Sequence, residues 1–135
     1  MNTKLKFIML LMVILSSCSE TLEFPVSKVT PGADITAEIK EQDDPNYLVT
    51  LEAKNLAAPE RLQNPKNIYV IWVVSEKGTV RNTGHFNPKN ESTSTFKASF
   101  PYQPVEIFIT AEDEESTCLP YGIEITRLNL NKEKK

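Results

Sequence analysis

The chain has 135 residues, 15 basic against 18 acidic side chains, a formal charge of -3, and 40% hydrophobic residues. That mildly acidic balance lacks the basic footprint that nucleic acid or an anionic surface requires. Four glycines, one histidine and two cysteines leave little from which to build a phosphate loop, a zinc site or a disulfide framework.

Lys4 and Lys6 form a short basic region, followed by an unbroken apolar run from Phe7 to Leu15. About ten residues at ~1.5 Å each fall short of a hydrocarbon core of ~30 Å. Residues 1–17 therefore read as a signal peptide and not as a membrane-spanning helix. The run ends in Leu15-Ser16-Ser17-Cys18, an aliphatic residue, two small ones and a cysteine, which resembles a bacterial lipobox. The resemblance implies cleavage before Cys18, diacylglyceryl attachment to its thiol and acylation of the new amine, by palmitate or a similar chain. The expected location is the cell envelope, anchored in the membrane through Cys18, and Ser19 in place of aspartate favours the outer membrane. Loss of Lys4 and Lys6 leaves 13 basic against 18 acidic side chains, about -5. With Cys18 acylated, Cys118 has no partner for a structural disulfide. It is expected to be a small buried residue, the alternative being a free thiol able to cross-link two molecules.

Residues 18–31 read as a lipidated tether containing Pro25 and Pro31, with at most ~40 Å of reach. Leu22, Phe24 and Val26 alternate, so an edge strand is the alternative there. Residues 32–130 then carry strand signals at short, regular intervals. Ile35, Ala37 and Ile39 form one alternating run, and Tyr47, Val49, Leu51 and Ala53 another. Gln42 to Asn46 turns between them. Ala57 to Asn67, with Pro59 and Pro65, reads as a crossing loop with one helical turn near Glu60-Arg61-Leu62.

Ile68 to Val74 is apolar on both alternating faces and holds the single tryptophan, so it should be a central strand. Ser75-Glu76-Lys77-Gly78 turns it back, with the glycine at positive φ. The return strand, Thr79 to Phe86, should set Val80 and Phe86 on one face and Arg81 and His85 on the other. Phe96, Ala98 and Phe100 form the next strand, then Val105 to Ala111, and Ile123 and Ile125 mark the last. Residues 131–135 read as a charged tail. About seven strands without a sustained 3.6 period predict an all-β chain, a single immunoglobulin-like or fibronectin-like sandwich, with a small β-barrel as the alternative.

Asn55-Leu56 with Pro59 and Leu62, Tyr69 to Val74, Gly78, Asn82-Thr83-Gly84 and Ile107 to Glu112 together resemble one pattern over about residues 55–126. It is similar to the extracytoplasmic C-terminal β-sandwich of anti-sigma-K-type factors. That resemblance implies the sandwich fold and a sensory or interaction role. Those factors place a sigma-binding domain and a membrane-spanning helix ahead of the sandwich, where this chain reads as a lipid anchor, so sigma-factor inhibition is not implied.

Candidate chemistry is thin. His85 stands without companions at metal-ligand spacing, no nucleophile elbow of the Gly-x-Ser-x-Gly kind exists, and neither a metal nor a cofactor is expected. The expectation is a non-enzyme. Glu112-Asp113-Glu114-Glu115 could offer oxygens to calcium but reads as a solvated loop. If Val70, Trp72 and Val74 face the core with Val105, Ile107 and Ile109, then Tyr69, Ile71, Val73 and Phe108 face outward together. Such a cluster would be an interaction face for an envelope protein unless Leu22 to Val26 or the Leu56 to Pro65 loop covers it. The alternative role is a glycan or small-ligand module using Tyr102, Tyr121 and His85.

Overall fold

The computed structural model describes residues 19–88 and 92–132, so residues 1–17, expected to be a signal peptide, and Cys18 lie outside the described residues. Among these residues are eight strands: β1 (Ser19–Glu23), β2 (Asp34–Glu41), β3 (Tyr47–Lys54), β4 (Ile68–Val74), β5 (Val80–Phe86), β6 (Thr93–Phe100), β7 (Glu106–Glu112) and β8 (Ile123–Asn129). They form two antiparallel sheets, β1-β2-β3-β6 and β5-β4-β7-β8. The all-β sandwich expected from the strand spacing is the fold, with one strand more than the seven signals.

The first sheet obeys simple alternation. Ala37, Val49, Leu51 and Ala53 are buried against the second sheet, while Glu38, Lys40 and Lys54 on the other face are exposed. The second sheet is buried on both faces, as the doubly apolar β4 required. Its inner face supplies Tyr69, Ile71, Val73, Ile107, Ile109 and Ala111 to the main core. Tyr69 and Phe86 meet there at 6.1 Å between ring centroids. The Tyr69 hydroxyl donates to the Ala57 carbonyl at 2.7 Å, tying the crossing loop to the core. That loop contains one 3-10 turn, Pro59–Arg61.

Residues 19–31 are not a free tether. Ser19 already pairs with Lys40, and β1 lies along β2 as an edge strand. The Phe24 amide donates to the Ile35 carbonyl, and Pro25, having no N–H, ends the ladder. The chain then crosses to the other sheet, where the Thr126 hydroxyl donates to the Pro25 carbonyl at 2.7 Å. Leu22 and Phe24 pack into the core, which offsets the entropy of ordering this segment.

The turn after β4 matches its sequence. Gly78 sits at φ +84, and its amide donates to the Ser75 carbonyl at 2.8 Å. β5 departs from its expected alternation because its register shifts opposite Ile71 and Trp72. Ile71 pairs with Gly84 and Trp72 with Asn82, leaving Thr83 as the extra residue, its hydroxyl bonded to the Ile71 carbonyl at 3.0 Å. A bulge reverses the phase of alternation. Val80, Asn82 and His85 therefore share the outer face, opposite Val74, Trp72 and Val70, while Arg81 and Phe86 lie on the inner side.

Candidate functional site

Tyr69, Ile71, Val73 and Phe108 are not an exposed face. The first three are 0–1% exposed in the main core, and Phe108, at 3%, lies on the opposite side of the sheet with Trp72. The reason is register. β4 pairs with β7 so that Trp72 stands opposite Phe108 and Ile71 opposite Ile109, and directly paired residues share a face. A one-residue difference in pairing exchanges every side chain between the two faces.

The outer face therefore holds Val70, Trp72, Val74 and Phe108, a second apolar cluster. Trp72 and Phe108 stack at 6.0 Å with an interplanar angle of 12°. The Arg127 guanidinium lies 3.9 Å from the centroid of the Phe108 ring and bridges Glu124 and Glu106. These carboxylates, Glu124 foremost, raise the guanidinium pKa further, against the opposing effect of burial. The Trp72 indole N–H donates to Thr110 Oγ1 at 2.8 Å, and that hydroxyl donates to Glu112 Oε1 at 2.7 Å. The same carboxylate oxygen accepts the Gly122 amide at 3.0 Å.

The covering segment is the β7–β8 loop, residues 113–122, and neither the N-terminal segment nor the crossing loop. Asn82 Nδ2 donates to the carbonyls of Glu115 and Thr117 at 2.8 and 2.9 Å, while its Oδ1 accepts the Gly84 amide at 3.1 Å. Glu115 reaches His85 at 3.2 Å, and Asp113 reaches Lys66 at 3.1 Å. The loop is thus fastened across the sheet at the level of Trp72, which is 0% exposed. Its acidic side chains face water while its backbone meets the sheet. Glu112 itself is a buried member of β7 and not part of the loop.

This arrangement distributes the remaining candidates. His85 is a half-exposed partner of Glu115. Cys118 is an exposed free thiol, not a buried side chain, because its loop lies on top of the sheet and not within it. Among the described residues, no three His, Cys, Asp or Glu side chains come together as a ligand set, and no helix is long and apolar enough to cross a membrane. Tyr121 is 79% exposed and Leu119 54% exposed, beside each other at the end of the covering loop.

A cleft of about 760 Å³ lies at the end of the sandwich formed by the β2–β3, β4–β5 and β6–β7 connections. Tyr47, Tyr102, Lys77 and Arg81 line it, with Tyr102 tilted against Phe100 at 6.0 Å. Lys77 and Arg81 have no acidic partner among the described residues. Of the three residues named for ligand binding, only Tyr102 reaches this cleft. Arg81 was hidden from sequence reasoning because the bulge at Thr83 turned it inward.

Comparison of the chain with protein families, curated proteins and solved structures gives no match. Of the motif residues read from the sequence, Tyr69, Ile71, Val73, Ile107 and Ile109 belong to the main core and Gly78 to the turn after β4. Trp72, Asn82, Gly84, Thr110 and Glu112 hold the β7–β8 loop to the sheet.

Proposed function

We propose that the protein is a lipid-anchored component of the bacterial envelope that presents a rigid, non-catalytic β-sandwich to another envelope protein. The lipobox Leu15-Ser16-Ser17-Cys18 supports the anchor, and its terminal serine-cysteine-serine context favours the outer membrane. The observation that carries the interaction role is the pair Leu119 and Tyr121, large apolar side chains exposed on a loop whose backbone is fastened to the sheet. Fastening lowers the entropy lost when a partner binds, and tyrosine is enriched at protein interfaces. The expected site is therefore the loop that covers Trp72, in place of the Tyr69-Ile71-Val73 face.

Photo-cross-linking from position 121 in intact cells tests this reading. The expected result is a defined envelope protein whose adduct disappears on Leu119→Asp while the sandwich stays folded. Adducts that are diffuse, or unchanged by Leu119→Asp, would sink it.

A glycan or small-ligand module is the second reading, favoured by the cleft between Tyr47, Tyr102, Lys77 and Arg81. Its volume lies within the ~300–1,000 Å³ usual for ligand sites. Saturable glycan binding lost on Tyr102→Ala, with position-121 adducts unaffected, would favour it over the first.

A further inference from the structure

The two ends of the sandwich differ in their relation to residue 18. Ser19 is paired with Lys40 in the first sheet, one step from the Glu41↔Tyr47 pair that closes the β2–β3 ladder. Ser19 follows residue 18 directly in the chain, and consecutive Cα atoms are about 3.8 Å apart across any trans peptide bond. Whatever is joined to Cys18 is joined at this end, with no intervening linker.

The cleft lies at this same end. Tyr47 and Pro45 belong to the β2–β3 connection beside the β1 start, and Ser75 to Thr79 and Pro101 to Val105 complete the rim. The opposite end carries the β1–β2, β3–β4 and β5–β6 connections, and the β7–β8 loop leaves and re-enters the sheet there. Strands of seven or eight residues separate the ends by about 25 Å at ~3.4 Å per residue.

We propose that the domain stands end-on against the bilayer, with the cleft-bearing rim in the headgroup layer and the β3–β4 connection pointing away. The inference rests on acylation of Cys18 as proposed above. Two or three acyl chains hold residue 18 at the interface, and a one-residue attachment cannot let a sandwich of this height lift off or invert. The rim is suited to headgroups. Lys77 and Arg81 lack acidic partners among the described residues and can reach phosphates, and Tyr47 and Tyr102 are half-buried phenols of the type that settles at membrane interfaces. Glu41, Asp43, Asp44 and Glu76 balance the rim cations Lys40, Lys77, Arg81 and Lys132. The attachment, and not net charge, imposes the orientation, so it persists at about 1 M salt, where the screening length is ~3 Å. Leu119 and Tyr121 are then held clear of the bilayer for a partner.

The experiment uses the full lipidated chain in phosphatidylcholine vesicles carrying a headgroup energy acceptor. In a Cys118→Ser background, one variant bears a donor at Glu76→Cys on the rim and another at Asn64→Cys in the β3–β4 connection. Both positions are exposed. Strong transfer from position 76 and several-fold weaker transfer from position 64, unchanged at high salt, is the expected result. Equal transfer, or the reverse order, on a chain whose Cys18 peptide carries acyl mass overturns the orientation and leaves the anchor standing. Absence of acyl mass on that peptide removes the anchor and the orientation together.

Discussion

Trp72 donates its indole N–H to Thr110 Oγ1 at 2.8 Å, and the Thr110 hydroxyl donates in turn to Glu112 Oε1 at 2.7 Å. This relay sits on the outside of a sheet, yet Trp72 is as inaccessible as any residue of the main core. The molecule therefore has two buried layers, one between the sheets and one beneath the β7–β8 loop.

Thr110→Val keeps the shape and removes the hydroxyl, leaving the indole N–H without a partner in a dry site. A buried donor in that condition costs about 1–3 kcal/mol. Urea denaturation should show a lower midpoint with an unchanged slope, and Thr110→Ser should recover most of the loss.

Asn82→Ala removes the amide that fastens the loop at Glu115 and Thr117. Trp72 is the single tryptophan, so its fluorescence reports the cover directly. The emission should shift to the red and acrylamide quenching should rise several-fold, while far-ultraviolet dichroism remains that of a β-sandwich. Unchanged quenching would mean that another element shields the indole.

Gly84 lies at φ +151 beside the bulge, and a Cβ there would collide with the ring edge of Phe96 from the facing sheet. Gly84→Ala combines an unfavourable backbone region with overpacking, together roughly 3 kcal/mol. Adding Phe96→Leu should relieve the steric part, and a double-mutant cycle of unfolding free energies would read the coupling.

Tyr69 is held well above its ordinary pKa of 10.0, chiefly by burial and secondarily by the nearby charge of Glu60. A phenol raised in the folded state contributes stability that is complete below the unfolded pKa and is lost as pH climbs toward the folded one. Stability should thus be independent of Tyr69 up to about pH 10 and fall above it by at most ~1.4 kcal/mol per pH unit. Tyr69→Phe forfeits the bond to Ala57, about 0.5–1.5 kcal/mol at neutral pH. Its disadvantage should narrow between pH 10 and 11.5 when urea midpoints are compared across that range.

Much of the fold was legible because β-strands advertise themselves by alternation. Ile35-Ala37-Ile39 and Val49-Leu51-Ala53 present one apolar face each, and such strands can pair in only one register without exposing it. Gly78 announced the turn after β4. β4 offered no such guide, since Tyr69-Ile71-Val73 and Val70-Trp72-Val74 are equally apolar. The one usable signal was in β7, where Ile107-Ile109-Ala111 is uniformly apolar and Phe108-Thr110-Glu112 is mixed. A mixed face suits a layer capped by a loop, and an apolar one suits the space between sheets. The candidate site was hidden for a related reason: an acidic loop reads as solvated, although its side chains can be wet while its backbone bonds to Asn82.

Local patterning alone makes this an all-β chain and puts Ile68 to Val74 at the centre of a sheet. Those conclusions depend on local periodicity and on motifs a few residues long. Only the tertiary structure decided which face of β4 meets the other sheet, that residues 19–24 belong to the domain, and that the loop after β7 lies over Trp72. Each of these depends on strand register and bulges, at Thr83 and opposite Ile109, which are set by contacts between residues far apart in the chain.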